Sequence, residues 1–280
     1  MLTFRAPYLL SFQAPPTRFP TEHAPTWVAP GFVGAAHCWL KGTAITTTVR
    51  LEGIEVRRHR FTLGPVTADL GASRVGLIGL NGAGKSTLIE SLAGRLTFRG
   101  TLLFDGRPMA HLPPTLTGYV PQQVAHPGLV SVRECVAAAA DLKKVAPQRR
   151  EEWVSSALAA VDLEGEAGRR ASRLSGGQSR RLACAMALVH RPEILLLDEP
   201  TAGLDPVQRR GIRDFLHQRP TGTLTVVSTH ILEDVADWAE RLLVLRSGEL
   251  VADVALTSIP AAERLAQVDA LLQSLAVTRQ

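Results

Sequence analysis

The chain has 280 residues, enough for one large domain or two small ones with a substantial buried core. Apolar residues make up 45% of it, and no run approaches the roughly eighteen apolar residues a membrane span needs, which excludes a bilayer-crossing helix. The formal net charge of +5 is carried almost wholly by Arg, since Lys stands only at positions 41, 85, 143 and 144. The Arg doublets at 149–150, 169–170, 180–181 and 209–210 are scattered among acids, so they read as solvated faces rather than as a nucleic-acid surface.

Residues 1–48 differ from the rest. They hold Pro7, Pro15, Pro16, Pro20, Pro25 and Pro30, few charges and no sustained period, which predicts a disordered extension. Little positive charge precedes an apolar core, and Pro15-Pro16 interrupts it, so the segment is not a signal peptide. A start at Val49 would remove the anomaly; peptides from residues 1–40 in the mature protein would argue against it. Cys38, Cys135 and Cys184 are odd in number and lack metal-ligand spacing, which points to reduced thiols in a cytosolic protein.

From Val49 to Val56 apolar and polar residues alternate, and 61–70 continue in the same way, predicting an antiparallel layer ahead of the main sheet. Residues 74–78 read as a short buried strand, 86–92 as a helix and 101–106 as a strand ending in a turn. From about 124 to 172 the chain turns Ala-, Leu- and Glu-rich. Helices are predicted over 131–142, capped by Ser131 with Glu134 three residues on, and over 148–161. Beyond this insert, strands at 194–197, 224–228 and 242–245 alternate with helices at 206–217 and 231–238, the pattern of a mostly parallel sheet. Ser258-Ile259-Pro260 starts a last helix with Leu265, Val268, Leu272 and Leu275 on one face.

Between the strand at 74–78 and its helix stands Gly79-Leu80-Asn81-Gly82-Ala83-Gly84-Lys85-Ser86-Thr87, which fits the phosphate-binding pattern G-x-x-x-x-G-K-[ST]. Glycines let the backbone wrap a polyphosphate, so that its N–H groups and the helix start face the anion. Lys85 is placed to reach the β- and γ-phosphates, and the Ser86 hydroxyl to ligate Mg²⁺. The apolar run Ile194-Leu195-Leu196-Leu197 ends in Asp198 and Glu199, at the strand end where ligands sit in open α/β sheets. Asp198 is predicted to hold Mg²⁺ and Glu199 to polarise an attacking water. Leu174-Ser175-Gly176-Gly177-Gln178 opens a helix whose first turn is bare backbone, a second anion site. One triphosphate does not need two, so this second site is expected to serve a nucleotide held by another copy. The fold expected is α/β, a P-loop NTPase with a mostly parallel central sheet, an N-terminal antiparallel β layer and an inserted helical subdomain.

With these residues assembled, 49–255 resembles the ATP-binding subunit of an ATP-binding-cassette (ABC) transporter, whose signature is the LSGGQ string. The resemblance implies that Gln122, in Gly118-Tyr119-Val120-Pro121-Gln122, contacts Mg²⁺ and senses the membrane partner. It implies that Asp205, in Ala202-Gly203-Leu204-Asp205, belongs to a loop crossing the dimer interface, and that His230 contacts the γ-phosphate. It divides the chain into an extension (1–48), an ATPase domain (49–255, helical subdomain about 124–180) and a C-terminal helix (256–280). ATP and Mg²⁺ are the implied ligands, with Ser86, Gln122 and Asp198 at the metal and Lys85, Glu199 and His230 catalytic. The implied partners are a second cassette, identical or not, and an integral membrane permease at the cytoplasmic face of a bacterial membrane, with no nucleic acid. Where family members commonly stack an aromatic side chain on adenine, Arg57-Arg58-His59-Arg60-Phe61 offers no tyrosine, leaving His59, an Arg or Phe61. The stretches 131–134, 188–192 and 228–234 resemble bacterial exporters of drugs, antibiotics or lipids, with import systems and soluble cassettes acting on ribosomes or DNA as alternatives.

Overall fold

A computed structural model describes residues 47–71, 73–124, 129–219, 222–236 and 238–277. Residues 1–46, with the expected extension and Cys38, lie outside the described residues. Thr47, fully buried, donates from Oγ1 to Glu193 Oε2 at 2.9 Å, so the packed chain takes in residues ahead of the Val49 start considered above.

Two sheets carry the architecture. The first is antiparallel, in the order β2 (Phe61–Asp69), β1 (Val49–Arg58), β4 (Arg99–Phe104), β5 (Arg107–Met109). The second has the order β10 (Glu249–Ala255), β9 (Arg241–Arg246), β3 (Arg74–Ile78), β8 (Leu224–Thr229), β7 (Ile194–Asp198), β6 (Thr117–Val120). Its inner pairs are parallel and only β10 runs antiparallel, at the edge. The expected fold class is what the chain adopts.

Side-chain alternation along the second sheet builds two cores. Ile194 and Leu196 of β7 face one side, with Val75 and Leu77 of β3 and the antiparallel sheet; Leu195 and Leu197 face the helices on the other. Every β7 residue is buried, as expected of a strand covered on both faces. Helix α1 (Lys85–Leu92) packs with the antiparallel layer through Leu88, Ile89 and Leu92.

On the opposite side lie α2 (Val132–Leu142), α3 (Pro147–Ala160) and α4 (Gly176–Leu188), followed by α5 (Pro206–His217), α6 (Glu233–Ala236) and α7 (Ala261–Val277). Ser131 and Glu134 close a capping box on α2 as predicted, with Ser131 N donating to Glu134 Oε2 at 2.8 Å. Helix α4 runs through position 180 without a break and packs on β6, where a Cβ at Gly118 would stand 2.3 Å from the Ala187 carbonyl oxygen. The helix expected over 231–238 is shorter, spanning Glu233–Ala236. Thr229 Oγ1 takes the Ile231 N–H at 3.0 Å, and Asp234 and Val235 bond three residues back, so tight turns replace its first turn.

Candidate active site

The glycine loop sits where the sequence puts it, between the end of β3 and the start of α1. Gly82 and Gly84 adopt φ of 82° and 108°, which side chains rarely tolerate, and a Cβ at Gly79 would lie 2.3 Å from the Leu245 carbonyl oxygen. Gly84 caps α1 without a side-chain bond and the first turn carries no acid, so the helix start presents its N–H groups to an anion. Beside the loop opens a cleft of about 490 Å³, lined by residues 81–87 with Arg58, Phe61, Gln122 and Glu199.

Three charged groups and a histidine converge beside the loop. Lys85, buried, donates to the Gly79 and Leu80 carbonyl oxygens at 2.8 and 3.3 Å and lies 3.2 Å from Glu199 Oε1. The other Glu199 oxygen meets His230 Nδ1 at 2.8 Å. Asp198 Oδ1 accepts from the Ser86 hydroxyl at 3.0 Å. A cation without a dedicated carboxylate cage, at a loop of bare N–H groups, fits a polyphosphate. The hydroxyl of Ser86 with buried Asp198 fits Mg²⁺, an ion that takes one or two protein oxygens and completes its shell with phosphate and water. Among the described residues no cluster of three or more His, Cys, Asp or Glu forms a metal cage, consistent with that sparse donor set.

Glu199 follows β7 at φ 49°, in the left-handed region. Its N–H donates to the Ser228 carbonyl oxygen at 3.1 Å and to Ser228 Oγ at 2.9 Å, while Ser228 Oγ donates to Asp198 Oδ1 at 2.6 Å. Ser228 therefore fixes both acids at once. It was not singled out from the sequence, although a serine inside the buried run Val226-Val227-Ser228 was the available signal. The parallel register sets it opposite Asp198.

The helix start expected to form a second anion site stands apart. Ser175 and Gly176 are exposed, Ser175 Oγ accepts from Gln178 N at 3.2 Å, and Ser175 N donates to Gln178 Oε1 at 3.0 Å. None of residues 175–178 lines the glycine-loop cleft, and Asp205 too is exposed outside it. Gln122 does line it. Of the three adenine-stacking alternatives, Phe61 and Arg58 line the cleft and His59 does not; a Cβ at Gly84 would come within 3.0 Å of the Phe61 ring. The doublet Arg180-Arg181 is not a solvated face. Arg180 donates to the Pro121 carbonyl oxygen at 2.8 Å, and Arg181 donates to the Asp162 carbonyl oxygen at 3.1 Å and to its carboxylate at 3.0 Å, each side chain half-buried against the helical unit.

The sequence pattern of the family described as ABC transporter matches residues 67–202. The thiamine import ATP-binding protein ThiQ of Jannaschia sp. is 34% identical over 217 residues, covering 74% of this chain and 93% of ThiQ. The sulfate/thiosulfate import ATP-binding protein CysA of Caulobacter vibrioides is 34% identical over 215 residues, covering 72% of this chain and 63% of CysA. Several other curated relatives are matched over smaller shares, this chain spanning 11 to 61% of their lengths. Among solved structures, a dimeric ATP-binding cassette in a post-hydrolysis state with ADP and Pi superposes with a TM-score of 0.67 at 25% identity, covering 75% of this chain and all of that one.

Proposed function

The chain belongs to the ATP-binding cassettes of ABC transporters, and from that premise we propose that it hydrolyses ATP in a two-cassette sandwich to drive transport through a membrane permease. Each nucleotide lies against the glycine loop of one copy and Ser175-Gly176-Gly177 of the other. The observation that carries this reading is the split of the site: Lys85, Asp198, Glu199 and His230 gather at the loop, while the capped start of α4 is exposed outside the cleft. That a similar cassette was solved as a dimer with ADP and Pi supports the pairing of two copies.

Within each half, Lys85 leaves its carbonyl partners for the β- and γ-phosphates. Glu199, freed from that cation, orients and polarises the attacking water, and His230 donates towards the γ-phosphate. Ser86 and Asp198, with Gln122 lining the same cleft, would hold Mg²⁺, which would neutralise charge on the phosphates. Phe61 offers the apolar face for adenine, and Arg58 lines the same cleft. Among the described residues no helix is long and apolar enough to cross a membrane, so the path for cargo belongs to a separate chain or segment.

The direction of transport is uptake. The export reading drawn from 131–134, 188–192 and 228–234 gives way, because ThiQ and CysA, both 34% identical, are named as import proteins.

Glu199→Gln tests the core of the proposal. Turnover should be lost while ATP drives the variant into a stable dimer on size exclusion; hydrolysis at the wild-type rate would refute the role. Direction is read in proteoliposomes holding the co-purified permease with cassettes facing the medium. Uptake predicts ATP-driven loss of luminal cargo, and luminal accumulation would restore the export reading.

A further inference from the structure

One cation ties the helix that presents the second anion site to the loop that completes the first. Arg180 lies five residues past the Ser175 cap on α4, and its Nη1 donates to the Pro121 carbonyl oxygen at 2.8 Å. Gln122, the next residue, lines the glycine-loop cleft. The far end of α4 is fixed, since Gly118 of β6 lets the Ala187 carbonyl approach closer than any side chain would allow. The start of the same helix is exposed and held rigid by its own capping box. Behind that cap Gln178 Nε2 donates to Glu166 Oε1 at 3.2 Å and Arg181 bonds Asp162. Helix α4 therefore runs packed from its exposed cap to the end seated on β6, and Arg180 is the tie from its first turns to the loop before Gln122. Burial disfavours the guanidinium's charge, while the Asp198 and Glu199 carboxylates and Cys184 act in the opposite direction, so the tie lies within the field of the catalytic acids.

We propose that Arg180 is a positioning residue that couples the two nucleotide sites of the sandwich. A nucleotide held by the partner and seated on Ser175-Gly176-Gly177 shifts the start of α4. The bond from Arg180 to the Pro121 carbonyl carries that shift to Gln122 at this chain's own nucleotide. Occupation of one site thereby positions Gln122 at the other, which is coupling through a shared element with two positions. The inference rests on the sandwich reading above.

The test is the ATP dependence of steady-state hydrolysis by the full chain with Mg²⁺. Two coupled sites give the wild type a sigmoidal curve, with a Hill coefficient of about 1.5 to 2. Arg180→Met keeps the side-chain stem and removes the donor. It should bring the Hill coefficient to about 1 and lower the maximal rate about tenfold, with the melting temperature little changed. Arg180→Lys, which keeps a cationic donor, should recover much of the cooperativity, an outcome that loss of packing alone does not predict. Where Met lowers the melting temperature, Arg180→Gln, neutral and polar, is read in its place. Glu199→Gln separates the two claims. If that variant stays monomeric in ATP, the sandwich reading fails. If it dimerises while the wild type is hyperbolic, or while Arg180→Met keeps the wild-type Hill coefficient, the coupling role is overturned and the sandwich stands.

Discussion

Glu199 is held at φ 49° although it carries a full side chain, and such a backbone costs on the order of 1–2 kcal/mol. The Ser228 side chain offsets that cost, taking the Glu199 N–H at 2.9 Å while restraining Asp198 at 2.6 Å. Ser228→Ala should therefore lower kcat by about tenfold to a hundredfold while leaving the KM for ATP within about twofold, because phosphate contacts are untouched and only the acids lose their fixed positions. Steady-state kinetics with a melting curve checks this; a variant that loses only KM would contradict the assignment. A second residue-scale effect is set by pH. Burial, helped by the Lys143 and Arg219 charges against an opposing backbone contact from Thr117, pushes His190 down to about 4. Between pH 6.5 and 4 the unfolded chain then binds a proton that the folded chain refuses. The stability associated with neutral His190 is present above pH 6.5 and is lost as pH falls, by up to about 3 kcal/mol. Urea unfolding at pH 7.5 and 5 should show that loss, and His190→Phe should shrink it.

Helices α2 and α4 open with the same device and put it to different uses. Ser131 with Glu134, and Ser175 with Gln178, each close a reciprocal capping box. Ser131→Ala and Ser175→Ala should each cost about 1 kcal/mol of folding stability in chemical denaturation. Only Ser175→Ala should also weaken ATP-driven dimerisation in the Glu199→Gln background, since only that cap is proposed to face a partner's nucleotide. An equal effect of both on the dimer would refute that use of α4. These two helix starts were legible because a cap is a local signal, complete within four residues. The glycine loop and the apolar run ending in Asp198-Glu199 were legible for the same reason. Strand β6 was not: Thr117-Gly118-Tyr119-Val120 is short and half apolar, and it becomes a strand by pairing with β7 far later in the chain. The burial of Arg180 and Arg219 was hidden too. Arg219 reaches the Pro192 carbonyl oxygen at 3.0 Å and Arg180 the Pro121 carbonyl oxygen at 2.8 Å, and in an Arg-rich chain neither acceptor is visible before the fold brings it close.

The described residues form three layers sharing one central sheet, and β7 is where the two cores meet back to back. Leu196 belongs to the core beneath the antiparallel sheet and α1; Leu197, its neighbour, belongs to the core beneath the helices, and both are fully buried. Truncation of either to Ala should destabilise the chain by about 2–5 kcal/mol, the transfer term plus the cavity left behind. The sheet separates their partners, so the two losses should come closer to adding in the double variant than those of two residues on one face. Leu195 and Leu197 make the contrasting pair: both face the helical side, where relaxation around one cavity changes the other, and their double variant should depart from additivity by more. Chemical denaturation of the three singles and two doubles decides the matter. Equal coupling in the two pairs would mean that the cores do not act as separate units. Asp198 and Glu199 leave the end of this same strand. A softened β7 should therefore lose ATP turnover before it loses cooperative unfolding, and hydrolysis measured on the single variants at a temperature well below their melting points reads that directly.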